Sequence, residues 1–505
     1  VEPTAPQTLS GPPEGEDVPQ TGTAPAVQRQ LNKRRALIVI AMSQLMVVLD
    51  ATIVNIALPS AERDLGFSND NRQWVITAYA LAFGSLLLLG GRIGDLFGRK
   101  RTFIVGLIGF SLASAVGGAA QSFGVLVGAR ALQGVFGALL APSALGLLTT
   151  TFTDPGERAK AFGIFGAIAG GGGGIGLLLG GVLTEYLSWR WCLYVNLFFA
   201  LPAAFAASAV LRRRPRSGRA HFDIPGTVAA STGLFALVYG FAHAEQTSWG
   251  DPVTVAFLGA SALLLTSFVV LQARVAHPLL PLRIVTDRSR GGAYLAMGIS
   301  AIGIFGVFLF LTFFLQQNLR YSPIKTGLAF LPMNLAIIAT ATTAQTRIVP
   351  RIGPRPLVVT GMLLAATAMF VFARLEVSST YAADVLPGLL CVGVGLGCIF
   401  APAISTATSG VDPSDAGVAS AMVNTSQQVG GSIGTALLST IFASAVTDYA
   451  VGRPPGPATL AAASVSGYTT AFWWAFGIFL LGAVVCGSVL RSGVPQAQPG
   501  AALAH

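Results

Sequence analysis

Residues Ala36–Pro59 read ALIVIAMSQLMVVLDATIVNIALP. Asp50 is the one ionisable side chain in this run. As a helix rising about 1.5 Å per residue, the run is long enough to cross a bilayer core of about 30 Å. Lys33-Arg34-Arg35 stands directly before it, a cluster that holds the preceding segment on the cytoplasmic side. Residues 1–32 are rich in Pro, Thr, Gln, Gly and Glu and lack apolar periodicity, so 1–35 is expected to be a disordered cytoplasmic tail. Those residues lack the apolar core of a secretory signal.

Outward from this first span the same composition recurs. Apolar runs follow near 72–91, 103–120, 123–149, 161–184 and 191–211. Two more lie near 224–243 and 253–272, then six near 292–316, 323–344, 357–374, 385–409, 417–447 and 467–490. The whole chain of 505 residues is 53% hydrophobic and only 10% charged, with a mean hydropathy of +0.68. A water-soluble protein of this length needs far more charge to cover its surface. The fold class is therefore an all-α polytopic membrane protein of fourteen transmembrane helices. The even count puts the C-terminal tail, 491–505, on the cytoplasmic side with the N-terminus. A net charge of +10 would suggest a nucleic-acid partner in a soluble protein. Here, of 31 Lys and Arg residues, 23 fall on one side of the alternating topology, 7 on the other, and Arg130 within a span. That bias is topological, and no nucleic acid is needed to explain it.

An internal repeat organises the spans. The fourth carries Ala141-Pro142, with Asp154-Pro155 just past its end; the twelfth carries Ala401-Pro402, with Asp412-Pro413 in the same relation. The basic loop after the second span, Arg92 to Arg101, is echoed after the tenth by Arg347, Arg351, Gly353 and Arg355. Residues 36–211 and 292–490 are thus expected to be two parallel six-helix bundles. Residues 212–291 carry two inserted helices between basic flanks (Arg212, Arg213, Arg214, Arg216 and Arg219 before; Arg274, Arg283, Arg288 and Arg290 after). Parallel repeats around a central site are a recurrent plan of secondary transporters.

Four stretches carry a resemblance to a known family. Gly91-Arg92-Ile93-Gly94-Asp95-Leu96-Phe97-Gly98-Arg99-Lys100-Arg101 resembles the loop 2–3 signature of the major facilitator superfamily. Leu49-Asp50-Ala51-Thr52-Ile53-Val54-Asn55-Ile56-Ala57-Leu58-Pro59 is similar to the helix 1 signature of its fourteen-helix drug:proton antiporter family. Arg130-Ala131-Leu132-Gln133-Gly134 with Gly137 resembles the helix 4 signature, and Gly172, Gly176, Gly180 and Gly181 the helix 5 antiporter signature. Trp189-Arg190-Trp191 and Asn196 extend the match through the first half. One departure stands out: the helix 5 signature has a proline after its second glycine, and this chain has Leu177. A proline there would remove a backbone hydrogen bond and kink the helix; six glycines within 170–176 still permit bending and close packing.

The residues suggest where chemistry resides. Asp50 lies about 14 residues into its span, and an acid at that depth marks ion or proton paths. Arg130 sits at a similar depth in the fourth span and Gln133 less than one turn further in, so a proton-coupling set of Asp50, Arg130 and Gln133 is expected. A static salt bridge is the competing reading. Gly91, Asp95, Gly98, Arg99, Lys100 and Arg101 are implied by the resemblance to form a conformational latch between the halves, and their charges alone would also serve topology. Ser420, Asn424, Gln427 and Gly431 recur at helical spacing as a polar stripe that lines a cavity or binds a neighbouring helix. Asn55, Trp74, Tyr79, Phe305, Phe308 and Asn334 are further candidates for a substrate cavity. Cys192, Cys391, Cys398 and Cys486 lie in apolar runs without metal-ligand spacing, so neither a metal nor a cofactor is expected. Gly171, Gly173 and Gly176 match a dinucleotide fingerprint only through glycine richness, the sequon at Asn424 lies inside a span, and the chain has no Walker-type loop.

The resemblance implies a bacterial plasma-membrane exporter of small amphipathic drugs or antibiotics in exchange for protons, by alternating access, working as a monomer among membrane lipids. A metabolite exporter or an importer shares the same fold. A membrane-embedded enzyme or receptor would need a convergent catalytic set or a substantial soluble domain, and the sequence offers neither.

Overall fold

The computed structural model describes residues 23–67, 69–211, 223–412 and 414–493. Among them, fourteen helices are long and apolar enough to cross a membrane, and no strand occurs. They are α1 (Thr23–Leu65), α2 (Asn69–Phe97), α3 (Arg99–Gly118), α4 (Phe123–Thr151), α5 (Pro155–Tyr186), α6 (Trp191–Val210), α7 (Ile224–Gln246) and α8 (Pro252–Arg274). After a short helix at Leu282–Thr286 come α9 (Arg288–Asn318), α10 (Ile324–Ile352), α11 (Pro354–Phe372), α12 (Tyr381–Ala407), α13 (Ala416–Ala450) and α14 (Pro457–Val489).

Capping chemistry sets several of the starts. Asp154 accepts from the Glu157 N–H at 2.9 Å, and Pro155 occupies the first helical position, where no N–H is needed. Asp251 and Pro252 do the same for α8, with the carboxylate taking the Val253 and Thr254 N–H groups. Between α12 and α13 the pattern differs: Asp412 binds the Ser414 hydroxyl and N–H, which hold its carboxyl below the usual carboxylate range, while Asp415 stands at the N-cap position of α13 without a side-chain bond to the helix.

The helices pack in two sets related by a shift of eight. In the first set α2 packs on α4, α3 on α4 and α6, and α1 on α5 and α6; in the second α10 packs on α12, α11 on α12 and α14, and α9 on α13 and α14. The sets meet through a pairing with the same symmetry: α2 and α4 against α13, and α10 and α12 against α5. The α7–α8 hairpin lies outside both, with α7 resting on α2 of one set and on α13 of the other. Three π-helical turns occur in the second set, at the end of α9 (Phe314–Asn318), within α10 (Ala344–Ile348) and at the start of α12 (Tyr381–Val385).

Several sequence expectations are corrected. Residues 23–35, read as tail, are the first turns of α1. The stretch 92–101, read as a loop, is almost wholly helical: α2 runs on to Phe97 and α3 starts at Arg99, so Gly98 alone makes the break. Gly98 has φ of 99°, a conformation that favours glycine, and Gly353 between α10 and α11 repeats it with φ of 78°. A glycine in the left-handed region can reverse two spans in one residue, which hydropathy reads as a loop. The last span begins at Pro457 rather than near 467, because Ala, Ser and Thr blur its edge. Residues 1–22, the arginines of 212–219 and the tail beyond Gly493 lie outside the described residues.

Candidate functional site

The first site lies inside the α1–α6 set. Asp50 is fully enclosed on α1, and its carboxylate takes three donors. Arg130 Nη1 of α4 donates to Oδ2 at 2.6 Å, while Gln133 Nε2 and Asn196 Nδ2 of α6 donate to Oδ1 at 3.0 and 2.7 Å. Arg130 is 2% exposed and makes further contacts inside the same cluster. Its Nε reaches the Val75 carbonyl at 3.2 Å, its Nη1 also reaches Gln133 Oε1 at 2.8 Å, and its guanidinium lies 4.4 Å from the centre of the Tyr79 ring. Ser114 Oγ of α3 closes the ring by accepting from Gln133 and Asn196. Helices α1, α2, α3, α4 and α6 therefore converge on one carboxylate.

Depth counting brings Asp50, Arg130 and Gln133 to one level, and the structure puts them in contact. Tyr79, proposed for a substrate cavity, is buried beneath the guanidinium instead, because a cation over its ring face is attractive where water is excluded. Ser114 was missed: a serine among Gly and Ala in an apolar span carries no distinguishing signal. Asn196 was noted only as a family match, though an amide in the otherwise apolar α6 is a signal that could have found it. Its Oδ1 is buried without a partner, so the cluster holds one spare acceptor.

The second site joins the two sets. Asp95, near the end of α2, accepts from the Gly417 N–H at 3.0 Å and the Val418 N–H at 3.2 Å, capping the start of α13. Arg99 completes it, donating Nη2 and Nε to Asp95 Oδ1 at 2.6 and 3.0 Å. One turn earlier the backbones nearly touch: a Cβ at Gly91 would stand 2.6 Å from the Gly417 carbonyl. Asp415 sits beside them, bound to Arg283 and 4.0 Å from Arg92. Arg158 at the start of α5 reaches Thr408 and Ser409 beyond α12. Lys100 turns away to the Ser208 and Leu211 carbonyls, and Arg101 is exposed. Gly91, Asp95 and Arg99 thus belong to the inter-set contact, whereas Gly98 makes the break between α2 and α3 and Lys100 braces α3 against the end of α6.

The glycines of α5 allow close approach both within the first set and to the second. Gly172, Gly176 and Gly180 face Val48, Thr52 and Ile53 of α1, and Gly181 faces Ile324 of α10. Asn334 of α10 occupies the space a side chain at Gly174 would need. It is 2% exposed, and neither atom of its amide has a partner. Phe308 borders Gly173, and Phe305 is half-buried on the same helix. Asn424 and Gln427 are half-buried on α13, Asn424 donating to the Ser420 carbonyl at 3.0 Å. Asn55 is exposed on α1. Trp74 does not join this group: it packs on Tyr239 of the inserted α7, ring centres 6.2 Å apart. Leu177 is half-buried against the core, and α5 continues past it unbroken.

The sequence model of the Major Facilitator Superfamily matches residues 40–435. The chain belongs to the major facilitator superfamily. As a member of this superfamily it is a multi-pass membrane transporter and not an enzyme. It is 51% identical over 459 residues to the puromycin resistance protein of Streptomyces alboniger, covering 90% of this chain and 91% of that one. It is 37% identical over 469 residues to the cephamycin export protein of Amycolatopsis lactamdurans, covering 92% and 94%. The fold is shared with solved superfamily structures such as a proton:xylose symporter, at a TM-score of 0.64 and 14% identity over 92% of this chain and 97% of that one.

Proposed function

We propose that this chain exports small amphipathic drugs or antibiotics across the bacterial plasma membrane in exchange for protons, by alternating access. The class of cargo comes from the relatives, whose names speak of resistance to puromycin and export of cephamycin. The observation that carries the mechanism is the closed Asp50 cluster. Three donors converge on a fully enclosed carboxylate, an arrangement that uses it purely as an acceptor. A proton arriving at Asp50 makes it a donor, so one of the three contacts must be given up. The spare Asn196 Oδ1 gives the new O–H a place to bond once the amide rotates. Because α1 carries Asp50 on one face and packs along α5 on another, loosening the cluster shifts the helix that meets the second set.

Alternation then takes place at the inter-set contacts. In this reading the Asp95 end faces the cytoplasm, as the basic residues around it favour, and is closed here. Substrate contacts the unpartnered Asn334 amide and the half-buried face of α13, which includes Asn424 and Gln427. A ligand can drive the change only by binding the two states with different affinity. The transporter works as a monomer in lipid, with the proton gradient as its energy source and no cofactor.

The test is purified protein in liposomes under an imposed pH gradient, with proton movement followed as cationic, zwitterionic and neutral compounds are added. At least one amphipathic drug should trigger proton release coupled to its own transport. Transport at equal rate with and without the gradient would refute proton exchange.

A further inference from the structure

The seam between α2 and α13 is tight only at one end. It is closed at Gly91 and Gly417 and still close at Gly84, where a Cβ would stand 2.7 Å from Gln428 Cγ. Beyond Gln428 the packing opens. Nothing lies within 4 Å of the position a Cβ at Gly431 would take, and α13, almost fully buried from Ala416 to Val423, is half-buried or exposed over most of its remaining length. The inserted α7 runs alongside this open stretch. At its far end Glu245 accepts one hydrogen bond, from Ser439 Oγ of α13 at 3.2 Å. No ion pair among the described residues includes Glu245. Trp249 lies beside it, donating its indole N–H to Thr440 Oγ1 at 3.1 Å and packing edge-on against Phe241 at 5.9 Å.

We propose that the surface where the end of α7 meets α13 is an outer binding site for amphipathic organic cations, with Glu245 as counter-ion and the Trp249 and Phe241 rings as the apolar wall. A half-buried carboxylate is stabilised by an opposite charge, and no ion pair among the described residues supplies one to Glu245. Aromatic faces beside the acid attract a cation whose charge is spread over an apolar body. The site lies on the inserted hairpin, apart from Asp50 and Asn334. The inference rests on the exporter reading for its class of ligand, but not for its test.

Equilibrium binding to the purified full-length protein, with no gradient, decides the matter whether or not the chain exchanges protons. The probes are tetraphenylphosphonium and its uncharged counterpart triphenylphosphine oxide. Glu245→Gln should bind the cation roughly fivefold more weakly and the neutral probe as wild type does, in line with a partly exposed charge pair. Absence of cation binding in the wild type, unchanged cation affinity in Glu245→Gln, or an equal loss for both probes would each overturn the site. If Glu245→Gln does not accumulate as folded protein, Trp249→Leu carries the test. It should lower the cation-to-neutral affinity ratio, and an unchanged ratio would also overturn the site.

Discussion

At the scale of single residues, Asp50 and Arg130 are each viable only because the other is present. Removing the guanidinium leaves a buried carboxylate with two amide donors, an arrangement that destabilises by about 3–5 kcal/mol or takes up a proton instead. Asp50→Asn, by contrast, keeps size and much of the hydrogen bonding while deleting the titratable oxygen. It should therefore still accumulate as folded protein, melting below wild type because Arg130 loses its counter-charge, and lose pH-gradient-driven export. Wild-type rates under the gradient would show that Asp50 is not the coupling group. Arg130→Lys keeps the charge but cannot serve Asp50, Gln133 and the Val75 carbonyl together from a planar fork, so export should fall at least tenfold, a loss of about 1.4 kcal/mol or more. Asn196→Ala removes both the donor to Asp50 and the spare acceptor. Its signature should be a shift in the pH dependence of export with folding retained, and an unaltered pH profile would deny Asn196 a part in proton handling.

At the scale of helices, contact distance is what the glycines control. Gly91 and Gly417 cross with no room for a methyl group, so Gly91→Ala should separate α2 from α13 and strip Asp95 of its two backbone donors. A cross-linker joining cysteines placed at Arg92 and Asp415 should react readily in the parent protein and poorly when Gly91→Ala is added; equal reaction would mean that the ends do not close through this contact. Leu177→Pro tests α5 in the opposite sense. It should be tolerated with export preserved if the glycines at 170–176 already absorb a bend, and loss of folded protein would show that α5 must stay straight. These elements also mark what the sequence could and could not convey. Apolar length gave every span, because the bilayer imposes one length on all of them. It could not show that Gly98 alone separates α2 from α3, since a conformational preference of one residue leaves no trace in hydropathy. Nor could it show that Asp95 caps a helix more than 300 residues away, because such a pairing depends on how the two sets face each other.

At the scale of the molecule, the shift-by-eight packing would let the proton site proposed at Asp50 act on both ends of the fold. α5 bears on α10 and α12 as α13 bears on α2 and α4, so separation at one seam is geometrically matched at the other. The α7–α8 hairpin breaks this symmetry. It is seated on α2 and α13 and anchored by Asp223, whose carboxylate takes Gln272 Nε2 at 2.7 Å and the Leu279 N–H at 3.1 Å. Those bonds tie the 275–281 connection to the start of α7, and the chain then runs to Arg283, which grips Asp415 at the Asp95 end. The hairpin is thus held at the same end as the Asp95 contact between the sets, and the orientation of that end fixes the orientation of the transporter. With 23 basic residues on its side against 7 on the other, that end should face the cytoplasm. Single cysteines placed in 212–219 and 274–290 should therefore react with an impermeant maleimide in inverted vesicles and stay unlabelled in intact cells. Labelling of both segments from outside the cell would reverse the assignment. The Asp95 latch would then be the outer gate, and proton entry and drug exit would have to exchange sides.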